Sequence, residues 1–123
     1  MKEYIDGDLV RYTSLYKEPV AEICEVRETS YLIRFMNGNF AKVTSKEIKP
    51  IPLTPEILEK NGWNKGQIYF THSRIPKIKL CTDESESKWS VSINGDIMGG
   101  YTCYVHDLQH ILFAFKINSE MEV

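Results

Sequence analysis

The chain has 123 residues, of which 42% are apolar and 26% charged. That is the make-up of an ordinary globular protein, and it fits none of the disordered, collagen-like or membrane-spanning classes. Fifteen basic and seventeen acidic residues leave a net charge of −2 with no long lysine run, so charge alone offers no stripe for tracking phosphates.

In chain order, MKEYIDGDLV is charged where a signal peptide would carry its apolar run, and no stretch of about eighteen apolar residues follows. The expectation is a cytoplasmic protein with no membrane segment. Short strands come first. GDLVRY (7–12) alternates after a glycine, and EPVAEICEV (18–26) sets Ala21 and Ile23 on one face before Val26 breaks the parity, which predicts a bulge. SYLIRFM (30–36) aligns Tyr31, Ile33 and Phe35, and Asn37-Gly38 predicts a two-residue type I′ hairpin into NFAKVT. SKEIK reads as a single polar turn, and KPIPL (49–53) is too rich in proline for a central strand, so it serves as an edge or an exit.

Residues 54–62 predict a short helix with Thr54 as N-cap, Pro55 at the first helical position and Gly62 just past the end. Leu53 and Leu58 occupy the two positions of a hydrophobic staple. Beyond it, GQIYFTH (66–72) and IPKIKLCT (75–82) predict strands, DESES (83–87) a solvated loop, and KWSVSI a strand running into a second hairpin signal at Asn94-Gly95. Gly99-Gly100 ends the sheet before a terminal helix in YVHDLQHILFAF (104–115).

The order of β-rich, short helix, β-rich and long helix predicts an α+β fold. The division is a small β-barrel-like lobe over 1–53 and an α+β lobe over 54–123, in which the C-terminal helix packs on the second antiparallel sheet. The two lobes are expected to form one compact unit. Cys24, Cys81 and Cys103 are odd in number, far apart and without a Cys-x-x-Cys pair, so reduced thiols are expected rather than a disulfide framework or a zinc knuckle.

Two resemblances attach to these motifs. Gly7-Asp8-x-Val10, Ala21-x-Ile23-x-x-Val26, IRFMNGNFAKV and EIKPI make residues 7–51 resemble a Tudor-type, Src-homology-3-like small barrel. Across nearly the whole chain, Gly7 to Val10, Pro50 to Trp63 and Tyr104 to Gln109 resemble a family of short uncharacterised Bacteroides-type proteins associated with mobile elements. That family has G-x-x-V, P-I-P-L-T-x-E-x-L-x-K-x-G-[FW] and Y-V-H-x-L-Q in the same order. This chain departs from it at Pro55 and Ile57, and at His110, where many members carry asparagine.

Candidate sites are few. His106 and His110 lie one helical turn apart and could chelate a metal, but the sequence offers no third ligand and Asp107 falls about 100° from His106 on the helical wheel. No metal or cofactor is expected. Val105, Leu108, Leu112 and Phe115 form one apolar stripe of the helix; His106, His110, Phe113 and Ile117 form a second. A helix apolar on two sides is expected to be sandwiched, so Tyr104, His106, Gln109, His110 and Phe113 are core residues between the lobes or an interface to another subunit.

Tyr12, Tyr16 and Tyr31, with Phe35 and Phe40, offer rings for an aromatic cage, although alternating strand positions demand such residues anyway. Arg74, Lys77 and Lys79 in RIPKIK could meet phosphates or protect an edge strand. Thr71-His72-Ser73 and the Cys103/His106 pair lack the geometry or the oxyanion hole of a nucleophilic site. Met98-Gly99-Gly100 lacks the lysine of a phosphate-binding loop.

The leading expectation is a non-enzymatic binding or adaptor module that acts on an unidentified protein partner or forms a homo-oligomer. The alternatives are a nucleic-acid-binding protein using the barrel and RIPKIK, and a metal-dependent enzyme centred on His106 and His110.

Overall fold

The computed structural model describes residues 4–82, 88–98 and 100–123. The expected DESES loop and Gly99 lie outside the described residues. The chain divides into two compact units: Met1–Ile51 with Val105–Glu120, and Pro52–Tyr104 with Met121–Val123. The second is therefore an insertion between Ile51 and Val105 of the first.

The first unit contains a five-stranded antiparallel sheet of β1 (Leu9–Tyr12), β2 (Val20–Val26), β3 (Tyr31–Phe35), β4 (Phe40–Val43) and β5 (Ile48–Pro50), in the order β4-β3-β2-β1-β5. A single 3-10 turn, Ser45–Glu47, joins β4 to β5. Partners directly opposite each other share a face, and the register sets Val10 against Ala21, Ile23 against Ile33, and Tyr31 against Val43. Val10, Ala21, Ile23, Ile33 and Val43 form the core together with Tyr4 and Ile48, and half-buried Tyr31 packs against it. The sheet is open: among the described residues, pairing is seen between sequence neighbours and between β1 and β5, and none joins β4 to β5.

The parity break in β2 is absorbed by a bulge. Ile23 pairs with Ile33 and Glu25 with Leu32, leaving Cys24 as the extra residue. The Asn37-Gly38 hairpin differs from the expected two-residue type I′ turn. Gly38 has φ 92° but Asn37 is not in the left-handed region that type I′ also demands. Instead Gly38 N–H donates to the Phe35 carbonyl and Phe35 N–H to that of Asn39, closing a three-residue loop over Met36, Asn37 and Gly38. The reason is register. A two-residue loop would oppose Ile33 with Lys42, whereas the longer loop opposes it with Ala41 and carries Val43 into the core at 1% exposure.

In the second unit, α1 (Pro55–Lys60) precedes a meander of β6 (Trp63–Lys65), β7 (Phe70–His72), β8 (Ile78–Thr82), β9 (Trp89–Ile93) and β10 (Asp96–Ile97), ordered β10-β9-β8-β7-β6. The helix starts as its punctuation predicts: Thr54 Oγ1 accepts from Ile57 N–H at 3.2 Å with Pro55 next in line, and Leu53 and Leu58 are both buried. Alternation in β8 and β9 buries Ile78, Leu80, Trp89, Val91 and Ile93 on one face. Here Asn94 and Gly95 both have positive φ, 54° and 87°, and Ile93 pairs with Asp96, so this second Asn-Gly is a type I′ hairpin.

Two expectations for this unit are corrected. The strand expected from residue 75 starts at Ile78, because Pro76 has no N–H to give a ladder and Ile75 and Ile78 donate back to His72 and Ile75 in successive turns. The strand expected over 66–72 is shortened to Phe70–His72, and a strand that the sequence did not suggest precedes it. Gly66 N–H donates to the Tyr69 carbonyl to form a loop, and three-residue β6, too short to show a periodicity, lies ahead of it.

The terminal helix α2 (Val105–Ala114) belongs to the first unit, whereas the sequence grouped it with the second sheet. It buries Val105, His106, Leu108, Gln109 and Leu112, and polar bonds from Gln109 and His110 to the segment preceding β1 hold it there. It ends in a Schellman pattern: Ile117 N–H donates to the Leu112 carbonyl and Lys116 N–H to that of Phe113, with Lys116 at φ 59°. Among the described residues, no helix is long and apolar enough to cross a membrane.

Candidate functional site

The histidine pair sits in a buried polar cluster of the first unit. His110 Nε2 lies 2.9 Å from both carboxylate oxygens of Asp8, a residue only 1% exposed. Since a carboxylate can only accept, Nε2 carries the proton and donates. Ile5 N–H donates to Asp8 Oδ2 at 2.8 Å, so the buried carboxylate has a backbone donor as well as the imidazole. One residue earlier on the helix, Gln109 uses both ends of its amide. Oε1 accepts from Leu9 N–H at 3.0 Å, and Nε2 donates to the carbonyls of Gly7 and Ser119 at 2.9 and 3.1 Å.

His106, 2% exposed, packs against Tyr4 with ring centroids 5.0 Å apart and stands 5.5 Å from the His110 ring. The helical wheel put Asp107 well away from it, yet Asp107 Oδ1 comes within 3.6 Å of His106 Nε2, a distance beyond a hydrogen bond. Among the described residues, no three His, Cys, Asp or Glu side chains converge as a metal would require. Chemically the cluster orients groups: Gln109 and His110 fix α2 to Gly7, Asp8 and Leu9 at the start of β1, and Gln109 also holds the Ser119 carbonyl past the helix.

Of the remaining helix residues singled out, Tyr104 is half-buried and forms an isolated bridge with Pro52, and Phe113 is 66% exposed. The second stripe therefore fades from buried His106 through half-exposed His110 to solvent at Phe113. Phe115, assigned to the first stripe, lies just past the helix end and is 49% exposed.

The five rings of the candidate cage do not converge on one point. Tyr12 meets Phe35 edge to face at 5.5 Å, Tyr31 meets Tyr4 at 5.7 Å, and Tyr16 stands 91% exposed at the loop tip. A groove of about 480 Å³ opens beside Phe35, between the β1–β2 loop and the β3–β4 hairpin. Leu15, Pro19, Val20, Met36 and Phe40 line it. Leu15 and Met36 went unnoticed in the sequence, because each is a single apolar residue in a polar turn and their proximity comes only with the fold. The loop is held in a costly conformation. Lys17 and Glu18 have consecutive positive φ values of 68° and 42°, unusual for residues with a Cβ, and the Glu18 carbonyl accepts from Arg11 Nη1 at 3.0 Å.

Cys24, on the bulge of β2, has its thiol pKa pushed up, chiefly by burial and further by the Glu22 carboxylate. Exposed Glu25 has its carboxyl pKa lowered by its hydrogen bond and ion pair with Arg27 at 3.2 Å.

In the second unit, Arg74 and Lys77 lie in exposed turns and Lys79 points outward from β8, its ammonium 5.4 Å from the centre of the Tyr69 ring. His72 faces the other way. Its Nδ1 accepts from Arg74 N–H at 3.1 Å, so Nε2 bears the proton it directs to the Asn61 carbonyl at 3.2 Å. Gly62 lies under this ring at φ 88°, where an added Cβ would fall 2.9 Å from His72 Nε2, and Trp63 packs edge to face on it at 5.5 Å. Trp89, fully buried, donates its indole N–H to the Leu53 carbonyl at 2.9 Å. Compared with protein-family models, curated proteins and solved structures, the chain matches none of them.

Proposed function

We propose that the chain is a non-enzymatic binding or adaptor module of a bacterial cytoplasm, and that its first unit is an open variant of the Src-homology-3 or Tudor barrel. Its ligand is an extended, uncharged apolar segment of a partner protein. Supporting the barrel assignment are the strand order β4-β3-β2-β1-β5 and the 3-10 turn before β5. The resemblance of the three sequence motifs to the Bacteroides-type family supports the mobile-element setting.

The observation that carries the reading is the groove beside Phe35. Leu15, Met36 and Phe40 are 52%, 69% and 60% exposed around it, an apolar cluster that a soluble surface does not otherwise favour. Two nearby charge pairs are closed on themselves: Lys49 bonds Glu18 at 2.8 Å and Arg34 meets Glu22 at 3.4 Å. A neutral apolar segment suits such a border better than a charged one. The strain at Lys17 and Glu18 also fits a loop shaped for a ligand, since such conformations cluster at binding sites.

Selection of displayed peptides on the protein tests this, with Met36→Glu as the counter-selecting variant. Peptides that lose affinity at least tenfold on that variant support the reading. No enrichment, or enrichment indifferent to Met36, sinks it.

A further inference from the structure

The outer face of the second sheet is organised in cross-strand rows. The register pairs Cys81 with Ser90, Phe70 with Leu80, and Trp89 with Thr102. Moving one residue along each ladder aligns Tyr69, Cys81, Ser90 and Tyr101 in a single row. The next row holds Asn64, Thr71, Lys79, Ser92 and Ile97. The first row is thus a trough: two small side chains form its floor and a tyrosine stands at each end. Three strand spacings separate the tyrosines, about 14 Å.

Both rings carry a cation. Lys79 Nζ lies 5.4 Å from the Tyr69 centroid and Lys88 Nζ 5.4 Å from that of Tyr101. Tyr69 is 41% and Tyr101 64% exposed. The two rows contain no carboxylate, and no Asp or Glu occurs anywhere between Glu59 and Asp83, a stretch holding Lys60, Lys65, Arg74, Lys77 and Lys79. In a chain of net charge −2, this concentrates positive potential on the β6–β8 part of the sheet.

We propose that this face binds single-stranded nucleic acid, with bases stacking on Tyr69 and Tyr101 and phosphates meeting Lys79, Lys88, Arg74 and Lys77. Ring faces reach bases only when these are unpaired, and a cationic surface with aromatic platforms is the general solution for single strands. The lysines now over the rings are exposed and swing to phosphate as a base takes their place. Ser90, Ser92 and Thr71 offer hydroxyls to base edges between the stacked positions, without a bidentate group that would select one base. Sequence preference is therefore weak. The site is distinct from the apolar groove of the first unit and does not depend on it.

Fluorescence anisotropy of a labelled oligothymidylate of about 16 nucleotides tests the proposal, at low salt and at about 0.15 M. Binding is expected at low salt. Tyr69→Ala and Tyr101→Ala each weaken it about fivefold or more, while Tyr69→Phe keeps the wild-type affinity. Lys79→Gln and Lys88→Gln each lower the slope of log K against log salt by about 0.7. Both tyrosines are exposed, so circular dichroism of the alanine variants should match the wild type. No binding at low salt overturns the proposal, as does binding indifferent to both alanine variants or tighter binding of duplex. Met36→Glu leaves this binding unchanged, which separates failure here from failure of the peptide groove.

Discussion

The two units bury similar apolar sheet faces but secure them by different means. In the first, Gln109 and His110 reach back about a hundred residues to Gly7, Asp8 and Leu9, and the bonds they make are buried or partly so. In the second, Trp89 makes one buried indole bond to Leu53, and the other long-range bonds lie nearer the surface, where Asn61 holds the Ile57 carbonyl and both backbone groups of Glu122. Removing one side chain therefore harms the first unit more than the second. A buried clamp strands its backbone partners away from water, whereas the groups that Asn61 holds can turn to solvent.

The largest effect is expected at Gln109. Gln109→Leu keeps the volume but strands Leu9 N–H and the Gly7 and Ser119 carbonyls, at about 3 kcal/mol or more in urea unfolding. Asn61→Leu releases the Ile57 carbonyl and both backbone groups of Glu122 in exposed or partly buried positions that water can reach, and should cost about 1 kcal/mol. Equal costs would refute the contrast drawn between the units. Next comes His110→Ala, expected to cost about 2 kcal/mol because it takes from Asp8 a charge-assisted bond. His110→Gln should recover much of that, since its amide nitrogen reaches the Nε2 position. His110→Asn is one methylene short and should recover little, despite the asparagine of the resembling family.

Gly62 examines the local side of the comparison. Gly62→Ala meets two penalties, a left-handed φ of 88° and a Cβ 2.9 Å from His72 Nε2. About 1–2 kcal/mol is expected from the backbone alone. Displacing the His72 ring also moves its NMR resonances and those of the stacked Trp63, a signature that backbone strain by itself lacks.

Much of this local punctuation was legible in the sequence: the Thr54 cap, Pro55, Gly62 and the bulge in β2 all follow from short-range rules. The placement of α2 was not. Its apolar stripe says that it is buried and nothing about against what, and the deciding contacts join residues about a hundred apart. Asp8 gave a faint signal, an acid at the start of an apolar strand, whose buried partner no local rule names. The tyrosine row was invisible for another reason. It depends on the β8–β9 register and on residues 100–102 lying beside β9, and a one-residue slip would turn Cys81 and Ser90 inward.

The two Asn-Gly dipeptides show the same limit at the smallest scale. Asn94 occupies a left-handed position at φ 54° and Asn37 does not, because the burial of Val43 sets the loop length of the first hairpin. Asn94→Ala should therefore cost up to about 1 kcal/mol, because alanine lacks the short polar side chain that eases asparagine into that region. Asn37→Ala loses only an exposed side-chain bond to Asn39 N–H and should cost a few tenths. Equal costs would mean that the two turns share one geometry and that the dipeptide, not the strands, sets the register. Lys116 carries the same logic with the opposite sign. It sits at φ 59° in the Schellman cap of α2, where glycine is at ease, so Lys116→Gly should stabilise the first unit by a fraction of a kcal/mol. The gain stays below the full left-handed penalty, because glycine also enlarges the freedom of the unfolded chain.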